Sequence, residues 1–410
     1  MAVNLPAHLR QPVRRGDHAQ RDEGAPRHVT ILGSTGSVGC NTVDLIARKP
    51  GAYAVEALTA RRNVGLLIEQ ALRLKPQLAV IADATLYGEL KTGLAGSNIA
   101  VAAGREALLE AARLPADWVM AAIVGAAGLE PTLAAVKRGA TIGLANKECL
   151  VCAGDIVLRE VQRNGATLLP VDSEHSAIFQ VFDFENAAAV ERIILTASGG
   201  PFLRLDLAAM AHVTPAQAVA HPNWAMGAKI SVDSATMMNK GLELIEACYL
   251  FPVPEGRVEI LVHPQSVIHS MVAYTDGSVL AQMGMPDMRT PIAYALAWPR
   301  RDASPTARLD LAKIGVLNFE APDPSRFPAL RLAREALQAG RGAPTVLNAA
   351  NEIAVRGFLA GQISFLDITR VVERTLDRLP PMPAETLDDV VEIDSLARRE
   401  AESLMAATKA

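Results

Sequence analysis

The stretch His28-Val-Thr-Ile-Leu-Gly33-Ser-Thr-Gly36-Ser-Val-Gly39 decides the fold. Residues 29–32 form a short apolar run. Three glycines follow, and then a helical pattern that reaches Arg48 and is stopped by Pro50. Glycines let the backbone turn tightly and approach a diphosphate, while the free N–H groups of a helix start attract the anion. The spacing is G-x-x-G-x-x-G rather than G-x-G-x-x-G, so position carries the dinucleotide reading more than pattern does. Downstream, residues 53–59, 78–81, 99–102, 118–124, 141–145 and 167–171 repeat the strand role, with helical segments such as 64–74 between them. Strands alternating with helices imply βαβ units and a parallel sheet covered on both faces. Residues 28–172 therefore read as a doubly wound, Rossmann-like α/β domain.

The corner after the second strand selects the dinucleotide. An NAD site places an acidic residue there for the ribose 2′-hydroxyl, but this chain has Arg61, Arg62 and Asn63, and Glu56 falls mid-strand. Two arginines suit a 2′-phosphate, so the reading favours NADP(H). A solvated basic corner is the alternative.

Beyond Asp172 the punctuation changes. Ser198-Gly-Gly-Pro201 and His221-Pro-Asn-Trp224 bracket a segment with little periodicity, read as a loop able to move. Residues 234–250 look helical, 258–263 and 267–274 look like strands, and Asp276-Gly277 is a hairpin signal leading into 278–283. The expected organisation is a leader over 1–27, a central α+β catalytic domain with a mobile flap over 173–298, a proline-dotted arm over 299–323 and a C-terminal helical bundle over 324–410.

Composition excludes several classes. With 410 residues, 50% of them hydrophobic, the chain has ample core for two or three domains and cannot be disordered. Lys and Arg number 40 against 44 Asp and Glu, a net charge of −4, which gives no broad footprint for nucleic acid. The apolar run 118–129 falls short of the roughly 20 residues of a bilayer span, so no membrane partner is expected. The leader lacks the apolar core of a secretory signal, and its acidic residues count against an organellar transit peptide. Four cysteines are too sparse for a disulfide framework. A cytoplasmic protein is expected.

Four strings carry chemistry. Asp172-Ser173-Glu174 follows the last strand of the first domain, where two carboxylates on an extended segment face one way and converge on a hard cation; a strand end or helix cap is the plainer reading. In Ser231–Glu243, Asn239 and Glu243 share a helix face. Ser234 at a helix start, with Asn239 and Lys240, makes a phosphate cradle and leaves Glu243 for a metal. The third string is Asn146-Lys147-Glu148, at the ligand edge of the sheet. The fourth, Cys149-Leu-Val-Cys152, has redox spacing but lies within a helical pattern and reads as buried thiols. Of the histidines, His175 follows the carboxylates, His221 lies in the mobile-looking segment, and His263 and His269 read as core groups.

Together these strings resemble the 1-deoxy-D-xylulose 5-phosphate reductoisomerase family. The carriers are ILGSTGSVG (31–39), AAIVGAAGL (121–129), LANKE (144–148), LPVDSEHSAIFQ (169–180), TASGGPF (196–202), HPNWAMGAKISVDSATMMNKGLE (221–243), HPQSVIHSMV (263–272) and LNAANE (347–352). The resemblance implies a metal (Mg²⁺, Mn²⁺ or Co²⁺) on Asp172, Glu174 and Glu243, with Lys147 and Ser173 at the substrate oxygens. It implies a phosphate site of Ser198, Ser234, Asn239 and Lys240, and a flap over about 198–228 carrying His221, Trp224 and Met226. NADPH would meet Thr35, Gly36, Ser37, Val38, Arg61, Arg62, Asn63, Asn146 and Glu148. The implied reaction on the sugar phosphate is a C3–C4 retro-aldol cleavage, re-aldolisation and hydride transfer from NADPH, in a homodimer. Cys149 stands where serine is expected. Two other readings stay open: an acyl-phosphate reductase with a cysteine nucleophile, and a non-catalytic NADPH sensor.

Overall fold

The computed structural model describes residues 25–220, 224 and 226–408. Seven strands form the first sheet: β1 (Arg27–Leu32), β2 (Tyr53–Ala60), β3 (Leu78–Ile81), β4 (Ala100–Ala103), β5 (Trp118–Ala121), β6 (Thr141–Leu144) and β7 (Thr167–Pro170). All pair in parallel, in the order β4-β3-β2-β1-β5-β6-β7. Their short, near-continuous apolar runs are what burial on both faces requires. Trp118, wholly buried, donates its indole N–H to Ala295 O at 3.1 Å and so ties the sheet to helix Arg289–Ala297. The strand order reverses between β1 and β5, which opens a crevice at their carboxyl ends.

Three strands of this sheet are shorter than the sequence suggests. β5 stops at Ala121 rather than 124, β6 at Leu144 rather than 145 and β7 at Pro170 rather than 171. At β5 the next residues are held by Asn146, whose amide donates to Ile123 O and, at 2.9 Å, to Gly125 O. Those carbonyls are taken from the ladder and folded into the crevice wall. At the other end, Arg27, assigned above to the leader, is the first residue of β1 and donates to Leu296 O. Residues 1–24 lie outside the described residues.

The second sheet contains β8 (Val190–Ala197), β9 (Val258–Val262), β10 (Ile268–Tyr274) and β11 (Val279–Met283), ordered β11-β10-β8-β9. β8 runs parallel to β9 and antiparallel to β10. Sequence reading anticipated β9, β10 and β11 but not β8. Ile193, Ile194 and Leu195 are buried on both faces of this central strand, so it shows no period-two alternation. Helix Ser173–Val181 was also unforeseen.

The single helix expected over 234–250 is two, Ala228–Ala235 and Met238–Leu250, broken at Met237, whose φ of 63° is left-handed. The segment expected to be an irregular loop contains helices Leu207–Met210 and Pro215–Val219, the second fixed by a Thr214/Gln217 capping box. Helices Ala329–Ala339, Ala343–Leu359, Phe365–Arg378 and Leu387–Thr408 close the chain as a bundle, much as their periodicity suggests. No described helix is long and apolar enough to cross a membrane.

Candidate active site

The β1 turn is built by necessity around glycine. Gly33 has φ +85°, and a Cβ there would meet Ala122 O at 2.7 Å, so β1 and β5 could not separate into the crevice around a larger residue. Helix Ser37–Ala47 starts at Gly36 with no side-chain cap, which leaves its first amides available to an anion, and Ser37 and Val38 line the cleft. These residues fit a dinucleotide diphosphate. At the end of β2, Arg61 and Arg62 are exposed, and the Arg62 guanidinium lies 3.2 Å from Asp83. Glu56 is buried and bonded to His28 Nδ1 at 2.5 Å, so it does not reach that corner. The Asn63 side chain caps helix Val64–Leu74 by accepting from Leu66 N.

Two of the residues expected at the cofactor have their side chains engaged within the protein. The side chain of Asn146 is committed to the β5 loop and to Cys149 N, so it shapes the wall from behind. Glu148 is buried, with its carboxylate 3.6 Å from Lys229.

The carboxylates converge, by another route than the one read from sequence. Asp172 is the N-cap of helix Ser173–Val181 and accepts from Ser173 N at 3.0 Å, so Glu174 sits in a first helical turn and not on an extended strand. Glu243 arrives from helix Met238–Leu250, whose restart after Met237 aims Asn239, Lys240 and Glu243 at the same point. One oxygen from each of Asp172, Glu174 and Glu243 lies within 4.8 Å of the others. Three carboxylate oxygens, those of Asp172 and Glu174 at the cleft and that of Glu243 buried behind them, are hard donors suited to Mg²⁺ or Mn²⁺.

Two ammonium groups bind the same oxygens. Lys147 Nζ lies 2.7 Å from Asp172 Oδ2, 3.4 Å from Glu243 Oε1 and 2.6 Å from Asn239 Oδ1. Lys240 Nζ bonds Glu174 Oε1 at 2.8 Å and also Glu243 Oε2. Burial works against both ammoniums, but Asp172 and Glu243 outweigh it at Lys147, as Glu174 and Glu243 do at Lys240, and both lysines stay charged. Glu243 is fully buried; burial and then the Glu174 charge push its carboxyl up to about 7, with Lys240 and Lys147 opposing. Burial would also raise Asp172 and Glu174, yet Lys147 and Lys240 respectively hold them below the usual range.

Behind the cluster, His175 Nε2 lies 2.8 Å from Glu243 O and Nδ1 lies 3.2 Å from Glu246 Oε2, with both side chains buried. A carbonyl only accepts, so Nε2 carries a proton and the imidazole braces the helix that bears Glu243.

Ser198, Ser234, Asn239 and Lys240 border one cleft, which also takes in Asp172, Ser173, Glu174, Lys147, Trp224 and Met226. Ser234 is near the end of helix Ala228–Ala235 and not at a helix start, so no helix amides back it. It is held instead by Gly200, at φ +67°, where a Cβ would meet Ser234 O at 2.8 Å. His221 lies outside the described residues.

Sequence reading missed His269, Thr196, Ser266 and Met288, all of which border the cleft. His269 was assigned to the core because its strand is apolar. It is buried, but its ring faces Trp224 at 6.1 Å, and burial lowers its pKa, Glu174 opposing. Nothing in one sequence marks it, whereas Ser266, a non-glycine residue at φ 53°, is visible only as backbone strain.

The Cys149–Cys152 string carries no nucleophile. Cys149 is buried and its thiol is pushed up to about 12, with a Thr132 hydrogen bond opposing; Cys152 is buried and raised as well. Thiols of that kind stay protonated at neutral pH. Cys149→Ala is expected to retain NADPH-dependent turnover, and loss of turnover with an intact fold would restore the cysteine-nucleophile reading.

The profile of 1-deoxy-D-xylulose 5-phosphate reductoisomerase matches residues 29–154, that of its C-terminal domain residues 168–251, and the DXP reductoisomerase C-terminal domain residues 283–400. The chain is 66% identical over 381 residues to the 1-deoxy-D-xylulose 5-phosphate reductoisomerase of Rhodospirillum centenum, covering 93% of this chain and 95% of that one. It is 59% identical to the enzyme of the same name from Zymomonas mobilis, covering 93% and 98%. A solved structure of the Zymomonas mobilis enzyme in complex with NADPH superposes with a TM-score of 0.89 at 57% identity, covering 93% of this chain and 99% of that one. A DOX-P reductoisomerase in complex with NADPH, fosmidomycin and magnesium superposes with a TM-score of 0.89 at 43% identity, with the same coverage.

Proposed function

The chain belongs to the 1-deoxy-D-xylulose 5-phosphate reductoisomerase family, and from that premise we propose how its own residues divide the work. It is an NADPH- and divalent-metal-dependent oxidoreductase that converts 1-deoxy-D-xylulose 5-phosphate to 2-C-methyl-D-erythritol 4-phosphate in isoprenoid biosynthesis. The observation carrying the residue assignment is that Asp172, Glu174 and Glu243 converge within 4.8 Å, with Asp172 and Glu174 bordering the cleft that also receives the Ser37–Val38 end of the dinucleotide turn.

Asp172, Glu174 and Glu243 hold the metal, and Thr35, Gly36, Ser37 and Val38 receive the NADPH diphosphate. Bound there, the cation supplies Lewis acidity toward the carbonyl and neighbouring hydroxyl oxygens of the ketose, and NADPH supplies the hydride. Lys147, kept charged by Asp172 and Glu243, presents a donor to substrate oxygens as negative charge develops during rearrangement. Ser173, whose Oγ is bonded to Glu174 at 2.5 Å, offers its hydroxyl to the same oxygens. Lys240, Asn239, Ser198 and Ser234 anchor the phosphate, and that remote binding energy orients the reacting carbons. Trp224 and Met226, which border the cleft, help exclude water from it.

Arg61 and Arg62 carry the preference for NADPH, with Asn63 holding the helix behind them. Arg62→Ala is expected to weaken NADPH by roughly tenfold or more, as loss of a charge-assisted phosphate contact does, and to leave NADH nearly unchanged. Equal losses for the two cofactors in a binding titration would remove Arg62 from the 2′-phosphate.

In this reading residues 28–172 form the cofactor unit, 173–298 the catalytic unit, 299–323 an arm and 324–410 a bundle. The active form is a homodimer. Support comes from edge strand β11, where Val279 and Leu280 are each 49% exposed and would gain from a partner. The reaction takes place in the cytoplasm, in keeping with four free cysteines.

A further inference from the structure

The string LNAANE (347–352) has no part in the chemistry above, yet both of its asparagines are buried. Asn348 and Asn351 lie on helix Ala343–Leu359 with no exposed surface. Asn351 Nδ2 donates to Asp233 Oδ1 at 2.8 Å, across 118 positions of sequence. The other oxygen of Asp233 pairs with Lys229 Nζ at 2.8 Å, and Lys229 lies 3.6 Å from Glu148 Oε1. The next residue, Glu352, bonds Arg398 at 2.6 Å. Its Oε1 sits against Gly125, in the loop after β5.

These contacts join three parts that the reaction needs in register. Glu148 begins helix Glu148–Asn164 directly after Lys147. Lys229 and Asp233 lie on helix Ala228–Ala235, where the chain re-enters regular structure after Trp224 and Met226. Asn351 belongs to the C-terminal bundle. A Lys–Asp pair four residues apart is ordinarily a surface pair worth little. Here Asp233 is 1% exposed and fixed from behind by an amide, so separating its partners would leave a buried charge uncompensated.

We propose that Lys229 is a positioning residue for the reductoisomerase reaction. By bridging Asp233 and Glu148 it fixes helix Ala228–Ala235, and with it the Trp224–Met226 side of the cleft, against the segment carrying Lys147. The proposal rests on the functional reading above. Lys229 does not border the cleft and acts through Asp233. Loosening the bridge lowers the fraction of molecules whose cover is in register, which weakens apparent substrate affinity by that fraction and leaves the reacting groups untouched.

The test compares Lys229→Met and Lys229→Arg with the wild-type chain, by hydrogen exchange and by steady-state kinetics. Lys229→Met is expected to speed amide exchange in residues 228–235 without changing it in 329–339. It should raise the KM for the sugar phosphate roughly tenfold or more while kcat changes little, and Lys229→Arg should restore both. Paired with Asp233→Asn in a double-mutant cycle, the two effects should be strongly non-additive. Unchanged exchange and KM in Lys229→Met, a fall confined to kcat, or additive effects would each overturn the proposal. A wild-type chain that does not turn over would defeat the functional reading instead, and the exchange experiment would still decide whether Lys229 holds the helix.

Discussion

Replacing Glu243 with Gln lowers metal-dependent turnover by more than about 100-fold, because even partners behind a metal ligand typically cost 10–100-fold when removed. NADPH affinity stays close to that of the wild type, since the dinucleotide turn is held by Thr59 of β2 and packs against Ala122 beyond β5, and the side-chain bonds of Glu243 run to Asn239, Lys147 and Lys240 instead. Glutamine preserves shape and loses the charge, so Lys147 and Lys240 each lose one anion and the site loses one hard donor. Stability moves the opposite way. Glu243 has its carboxyl raised to about 7, so the metal-free native state holds the proton more tightly than the unfolded chain does. Stability of the metal-free protein therefore falls as pH rises from the ordinary glutamate value through about 7, by up to about 3 kcal/mol from this group. Glu243→Gln removes that slope. The metal-free variant should be at least as stable as wild type at pH 8 in denaturant titrations, and should have lost the added protection that Mg²⁺ or Mn²⁺ gives the wild type. Wild-type turnover in a folded Glu243→Gln variant would remove Glu243 from the metal site.

Lys240→Ala raises the KM for the sugar phosphate by roughly 10- to 100-fold, with a smaller change in kcat, because a charge-assisted contact to the phosphate is lost. The lysine is 4% exposed and clamped by Glu174 and Glu243, so its ammonium is positioned before substrate arrives. Its removal also leaves Glu174 without the charge that holds its carboxyl down. Lys240→Arg should recover part of the loss and Lys240→Met none, because a methionine keeps the stem and not the charge. A loss carried by kcat with KM unchanged would move Lys240 from the phosphate to the reacting carbons.

The first domain was legible because its physics is local. A strand of four apolar residues, a glycine turn and an amphipathic helix repeat often enough that β3 and helix Val64–Leu74 begin and end where the pattern says. The second domain was less so. β8 is a central strand with no alternation, and the break at Met237 comes from tertiary packing that no propensity encodes. The site shows the same division. Residue types named Asp172, Glu174 and Glu243, but an extended-strand argument joined the first two, whereas an N-cap and a helical first turn bring them together. His269 was hidden because an apolar strand gives a histidine the same pattern whether it faces a core or a cleft. The roles of Asn146 and Lys229 depend on partners far away in sequence, and only the folded chain shows those contacts.

The most direct test of the account is NADPH oxidation by the purified chain with 1-deoxy-D-xylulose 5-phosphate, followed by absorbance with and without Mg²⁺ or Mn²⁺. The account predicts oxidation that requires the metal and yields 2-C-methyl-D-erythritol 4-phosphate. Oxidation that proceeds equally well in the presence of a chelator, or tight NADPH binding with no oxidation under any metal, would contradict it.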